Sequence, residues 1–463
     1  MNFILRRFLV TAIPVMALSL PVSALAGSPG KTTLVLDLDE CIRTAIKSAP
    51  EIAEAQADIE LTSSKLKEAK SYRYPQADVL ALFGPAPGAS QYDILPVINT
   101  HKSFSIRNLT WFAGADVMVT QPLWTFGKIS DNMKAATHGV EADKAKKQQK
   151  GNEVALEVKK YYYGVLLARE LQTVIAEQQL YMTSGKEKIR KLIQNDVPSG
   201  DEMDLYKIDA YSGALNKYME EAVKGEKLAL AALKTRMTLG DNVDVDVSTE
   251  RLKMDAESIP DIETFIEKAR SQRPEFRQLK EGLAARTALV EAAKAAYYPD
   301  IFLAGLVSWA YADQRDRIKN PYINDKFNHM YGGVALGIKW HIDFGITSAK
   351  VSAEQAQLNR LQSTNLYAET FIPLQVRKAW LEMKEAEKVV TATYNAFSSA
   401  KKWGAAALAN FDFGIGNARD VFDAVEVYGR MKSDHYQAIY NYKVAKATLE
   451  YAIGETPVGP RAQ

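Results

Sequence analysis

From Lys128 to Asn195 the chain runs without a proline, turns at Pro198 and Gly200, and then runs proline-free again to Gly240. Within the first run Val154, Tyr161, Ala168, Ile175, Met182 and Ile189 recur every seven residues, the period at which packed helices supercoil left-handed. At 1.5 Å per residue such a helix is roughly 100 Å long. Typical soluble helices run ~10–14 residues, and no ordinary globular core buries a rod of this length, so it packs against other rods. The second half of the chain supplies them. Ile372, Ala379, Ala386, Ala400 and Ala407 keep the same step, with Thr393 between, beside a second stripe of Val376, Met383, Val390, Phe397, Gly404 and Phe411.

The two halves share one plan. Ala45 and Pro50-Glu51 match Ala269 and Pro274-Glu275, and at the same offset Ala69-Lys70 and Tyr74-Pro75 match Ala293-Lys294 and Tyr298-Pro299. Further on, at a slightly shorter offset, Gly114 matches Gly332, Phe126-Gly127 matches Phe344-Gly345, and Val158, Lys160 and Tyr162 match Val376, Lys378 and Trp380. Each half reads helix, strand, loop, strand, long helix, turn, helix. The first repeat is placed at 27–257, with strands about 77–84 and 110–122 and a hairpin at 128–240. The second is placed at 258–455, with strands about 300–312 and 331–343 and a hairpin at 346–453; 456–463 is a tail. Between the halves an alternating Val-Asp run, Val243 to Val247, is suited to a small strand at the waist.

Each half breaks its helices after a Tyr-Pro pair, since proline lacks a donor and clashes with the preceding turn. The runs that follow alternate. Ile301, Leu303, Gly305, Val307, Trp309 and Tyr311 fall on one face, Ala304, Ser308 and Ala310 on the other beside Phe302 and Leu306. Val334, Leu336, Ile338, Trp340 and Ile342 oppose Gly333, Ala335, Gly337, Lys339, His341 and Asp343, and Trp111 to Thr120 alternates likewise. An apolar exterior and a wet interior are what a membrane barrel requires, and runs of ~9–12 residues cross a bilayer at a strand's tilt. Val307, Trp309, Leu336, Ile338 and Trp340 are the expected lipid-facing residues, and Val307→Arg is expected to cost far more than lumen-facing Ser308→Arg. Four strands leave two open edges, and an open edge is not tolerated in lipid. The barrel is therefore shared between copies.

Length and composition fit this picture without dictating it: 463 residues, 47% apolar and 25% charged. Residues 1–26 have Arg6 and Arg7, an apolar run from Phe8 to Leu20 and Ala24-Leu25-Ala26, the parts of a cleaved secretory signal. Its removal leaves a formally neutral chain, which gives no reason to expect a nucleic-acid partner. Cys41, the single cysteine, has no internal disulfide partner. The histidines His101, His138, His329, His341 and His435 are scattered, so no metal site is indicated. Phosphate-binding and nucleophile-elbow motifs are missing, so no catalytic residue and no cofactor is expected.

The repeat, the Tyr-Pro junctions and the stretch Asp420-Val-Phe-Asp-Ala424 resemble the TolC-like outer-membrane efflux family over nearly all of the chain past the signal. The resemblance implies a mostly α fold of long coiled-coil hairpins with four strands of a shared trimeric β-barrel. It implies a homotrimer in outer-membrane lipid with a long periplasmic extension, a passive exit duct that works with an inner-membrane pump and a periplasmic adaptor. It also implies a closed periplasmic aperture with acidic rings. By motif position these look like Asp420 and Asp423, with Asp204 as the first-half counterpart; helix capping is the plainer role for such acids. Some family members latch the aperture with a tyrosine and a basic residue. Phe411 and Gly416 stand at those places here, which leaves Arg419, or apolar contact from Phe411 and Phe413, to hold it. A periplasmic adaptor, or a structural coiled-coil protein without a barrel, is the alternative; neither calls for two hairpins separated by amphipathic strands.

Overall fold

The structure, a computed structural model, describes residues 32–88, 109–195, 201–248, 250–254, 259–317, 322 and 325–455. The expected signal at 1–26, the turn at Pro198 and Gly200, and the tail 456–463 lie outside the described residues.

Eight α-helices and six strands stand among the described residues. In the first half β1 (Thr32–Leu36), α1 (Leu38–Ser48) and α2 (Pro50–Ser71) lead to β2 (Gln76–Pro87) and β3 (Leu109–Trp124), followed by the hairpin of α3 (Lys128–Gln194) and α4 (Glu202–Arg236). After β4 (Val243–Val247) the second half repeats the order: α5 (Ile262–Gln272), α6 (Pro274–Lys294), β5 (Asp300–Ala312), β6 (His329–Lys339), α7 (Ile346–Asp412) and α8 (Ala418–Ile453). The internal repeat is thus a structural one. The helices α3 and α7 have 67 residues each, and equivalent groups open them. The Thr125 hydroxyl accepts from the Ile129 N–H at 3.4 Å, and the Asp343 carboxylate accepts from Gly345 at 3.1 Å and Thr347 at 3.0 Å. Hydrogen bonds to the Thr347 hydroxyl and these amides hold the Asp343 carboxyl down to about 2, so this cap stays charged across the physiological range.

Near the sheet α3 packs against α2 and α6, and α6 against α7; toward the far end α3 packs against α4 and α8, and α7 against α8. The seven-residue stripes are the seams. Val154, Ala168, Ile175, Met182 and Ile189 are buried, as are Ile372, Val376, Ala379, Met383, Val390, Ala400 and Ala407. Pro373 interrupts the bonding of α7, but Ile372 and Val376 beside it are buried, and each such side chain contributes about 1.5–3 kcal/mol against a proline cost of ~3.

The largest core lies at the waist, where α1, α5 and a parallel ribbon of β1 and β4 wrap the helices. Ile42, Val158, Tyr162, Val165, Leu233, Met237, Val376 and Tyr442 fill it. Repeat-related aromatics pin both ends of the linker between the halves: the Tyr162 hydroxyl meets Ser248 Oγ at 2.7 Å, and Trp380 Nε1 donates to the Pro260 carbonyl at 3.1 Å. Cys41 is buried in this core, and burial together with Asp37 and Glu40 pushes its thiol up to about 12, so it is unreactive. No helix among the described residues is long and apolar enough to cross a membrane.

The remaining strands form one antiparallel sheet in the order β2-β3-β5-β6. The alternation of the sequence sets its register: Val117 pairs with Val307 and Asp116 with Ser308, so like faces like across the sheet. The strand expected at 331–343 spans His329–Lys339 instead. Lys339 pairs with Asp300, and the next position across the ladder is Pro299, which has no N–H to offer. Trp340, expected on the strand, stands one residue past its end, where its Nε1 donates to the Tyr297 carbonyl at 3.2 Å.

Candidate functional site: the sheet and the hairpin tips

Two regions carry the residues singled out in the sequence, one at each end of the long helices. The sheet has one apolar face and one face that mixes polar and small residues with a few apolar ones. Val307, Trp309, Leu336 and Ile338 are exposed on the first, with Val79, Phe83, Trp111, Tyr311 and Val334, and Trp340 is exposed just beyond it. Phe83 stacks on Trp111 at 5.3 Å on this face. This much exposed apolar surface on one side of a sheet marks a surface that something else covers.

The opposite face is mixed: it bears Asp116, Thr120, Asp300, Ala304, Ser308, Gly333, Ala335, Gly337 and Lys339, together with the exposed Leu80, Leu82, Met118 and Leu306. Lys128, at the start of α3, reaches Asp300 at 2.9 Å where sheet and helices join. Phe302 lies flat over Gly337, whose added Cβ would come within 2.4 Å of the ring. The wall stays low as a result. Ser308 differs from the expectation of a free wall residue. It is 2% exposed, bonded to the Asp116 carboxylate and to His329 Nε2 at 2.7 Å, and an arginine there has no room. Among the described residues the outer edges of β2 and β6 have no strand partner.

At the far end α7 stops at Asp412 because Gly414 takes φ +76°, a turn that the Ile415 and Gly416 N–H groups close on the Asn410 carbonyl at 3.0 Å each. Gly416 is fixed by packing, since an added Cβ would stand 3.0 Å from Asn410 Cβ. The capping side chains are Asn417, accepting from the Asp420 N–H at 2.8 Å, and Asp201, accepting from the Met203 N–H at 2.9 Å. Asp420 and Asp423 are therefore not caps; they stand exposed one turn apart on the same side of α8. Asp204 is unlike them, its side chain only 13% exposed and 3.7 Å from Lys207.

Arg419 does not join the two hairpins. Among the described residues it reaches only Asp423 of its own helix, at 3.9 Å, and Phe413 is exposed. Phe411 is half-buried against a cluster of Ile175, Met182, Ile189, Ile208 and Leu215. The residue that bridges is Lys188 of α3, which pairs with Asp412 and lies 5.0 Å over the Phe411 ring. Sequence reasoning missed it; the only trace is a basic run, Lys186 to Lys191, level with an acid at the end of α7. Higher up, Glu177 accepts from the Tyr428 hydroxyl at 3.2 Å and pairs with Lys432, joining α3 to α8. Burial, with the Glu177 carboxylate, pushes that hydroxyl well above the usual phenol range, so it remains a donor. Gln178 packs on Gly429, where a Cβ would stand 2.8 Å away.

Comparison with known proteins matches residues 265–455 to the family described as outer membrane efflux protein. No curated protein sequence matches. Among solved structures, CusC, described as forming a transmembrane channel, is 14% identical with TM-score 0.75, covering 93% of this chain and 95% of its own. The CmeC outer membrane channel of Campylobacter jejuni is 17% identical with TM-score 0.73, covering 90% of this chain and 85% of its own. The open state of the MtrE outer membrane channel of Neisseria gonorrhoeae is 17% identical with TM-score 0.73, covering 90% and 88%. At these identities the likeness to the solved structures is one of fold, and it runs nearly end to end. The efflux pattern thus lies over the second repeat, and over nearly its whole length the chain has the fold of these outer membrane channels.

Proposed function

We infer that the chain is the outer-membrane exit duct of a tripartite export system. Three copies close one twelve-stranded barrel, four strands each, and their helices continue it as a tunnel across the periplasm. An inner-membrane pump supplies the energy and a periplasmic adaptor joins it to the hairpin tips, where Phe413 and Ile415 stand exposed. The duct itself is passive. The observation that carries this reading is the sheet: apolar on one face, carrying the charged and small residues on the other, open at both edges among the described residues, and standing on two 67-residue helices. Lipid leaves no unpaired backbone edge unpunished, so β2 of one copy must meet β6 of the next. A periplasmic adaptor or a coiled-coil scaffold has no use for Val307, Leu336 and Ile338 on one face of such a sheet.

The test is the mass of the protein extracted from outer membranes in mild detergent. Three copies per particle are expected; a stable monomer, or recovery with soluble periplasmic contents, would falsify the reading.

The exposed pair Asp420 and Asp423 is assigned to the aperture, where three copies present six carboxylates to the axis. Clustered acids favour cations. Asp420→Asn with Asp423→Asn is expected to lower the cation-to-anion permeability ratio, read as a shift in reversal potential across a salt gradient in planar bilayers. An unchanged reversal potential removes these residues from the aperture.

A further inference from the structure

The polar face of the sheet is not bare at its outer end. Ala86, Thr110, Ser308, Ala310 and Ala312 lie on that face at the ends of β2, β3 and β5 away from the helices, and all are buried within a single chain. Among the described residues, the base of the β5–β6 connection is turned onto this face, where Phe327 meets Phe112 and His329 meets Ser308. Arg315, just past β5, spans the sheet: its Nε meets both oxygens of Asp325 at 3.0 and 2.8 Å, and its Nη1 donates to the Pro87 carbonyl at the end of β2, 2.7 Å away. Asp325 also accepts from the Phe327 N–H at 3.1 Å, and its carbonyl meets His329 Nδ1 at 2.8 Å. Phe327 packs edge-on against Phe112 at 5.3 Å, with the Arg315 guanidinium 5.2 Å over its ring.

This arrangement is a built one. The Asp325 side chain is 2% exposed and that of Arg315 12%, and a charge pair so far out of water persists only when its remaining hydrogen bonds are met, as here. The wall beneath combines small residues, Ala86, Thr110, Ser308, Ala310 and Ala312, with the ring of Phe112, on which Phe327 seats.

We propose that Arg315, Asp325 and Phe327 form a collar inside the extracellular end of the duct, and that this collar limits the size of molecule that passes the outer mouth. The proposal rests on the trimeric duct above: each copy contributes one insert, and three inserts face one another across the bore. The collar stands at the opposite end from the hairpin tips, so it limits passage whatever the state of the tips.

The test places a thiol on the inner wall below the collar, Ala304→Cys, in the full-length protein in intact cells. Cys41 is 0% exposed and does not compete. Two membrane-impermeant thiol reagents, one small and one bulky, are added outside. The small reagent is expected to react and the bulky one to be excluded. Adding Asp325→Ala and Phe327→Ala is expected to raise the bulky-to-small rate ratio by roughly tenfold, as widening a constriction does. Retained labelling by the small reagent verifies that this variant still forms the duct. If the bulky reagent reacts as fast as the small one in the parent, or if the ratio does not change, the collar is overturned. If the small reagent never reaches the introduced thiol, the duct reading itself has failed.

Discussion

Val334→Arg is expected to destabilise the assembled protein by ~2–4 kcal/mol, whereas Ala335→Arg, one residue along the same strand, is expected to cost no more than ~1 kcal/mol. The contrast is informative because water alone does not produce it. Both residues are exposed in a single chain, near the middle of β6, and neither is packed under another element. Val334 pairs with Gly305 on the apolar face; Ala335 pairs with Ala304 on the polar face. In a sheet bathed in water on both sides, two exposed arginines at adjacent positions would cost nearly the same. Only hydrocarbon on one side and an aqueous bore on the other separates them. Ser308 does not serve as the lumen-facing control, since its burial under His329 makes any large side chain costly there for reasons of packing. The measurement is a denaturant titration of protein refolded into lipid vesicles. Equal losses for the two variants would mean that the faces are misassigned.

How much of this was legible in the sequence depends on the range of the interaction. The seven-residue stripe through Val154, Ala168, Ile175, Met182 and Ile189 became a buried seam because helical geometry alone places those residues on one side. The sheet faces were legible for the same reason, period two in place of seven, and Val307 and Ser308 point apart. The repeat showed that two hairpins exist. Features that depend on a single long-range contact left little trace. The pairing of Thr32–Leu36 with Val243–Val247 joins two five-residue runs that no local pattern relates. The end of β6 at Lys339 is set by a proline on the neighbouring strand, not by anything in β6. Lys188 and Asp412 are 224 positions apart and look like ordinary surface charges. Arg315 and Asp325 sit in a stretch whose charge reads as an exposed loop, yet the pair is turned inward.

In the proposed duct, the Lys188 contact is where closure of the tips is expected to be most sensitive. Lys188→Glu replaces an attraction to Asp412 and to the Phe411 ring with a repulsion between two carboxylates, and the expected result is a several-fold rise in the conductance of the purified channel. Both partners are nearly half exposed, so the ion pair alone contributes at most roughly 1 kcal/mol in each copy. The size of the effect comes from the assembly. In the proposed trimer, three copies moving together lose about 3 kcal/mol, and reversing the charge adds to this; 3 kcal/mol already shifts a two-state equilibrium by roughly a hundredfold. The same exposure dictates the conditions. At 1 M salt the Debye length is about 3 Å and the contrast fades, so the recording belongs at ~0.1 M, where charges about 10 Å apart still interact. Restoring the pair with its ends exchanged, Lys188→Glu with Asp412→Lys, is expected to return the conductance toward that of the parent, because nothing else in the turn built by Gly414, Gly416 and Asn417 has changed. A single variant that conducts like the parent at low salt would show that Lys188 does not hold the tips. A double variant that stays as open as the single one would move the cause from the charge pair to the stacking of the lysine on Phe411.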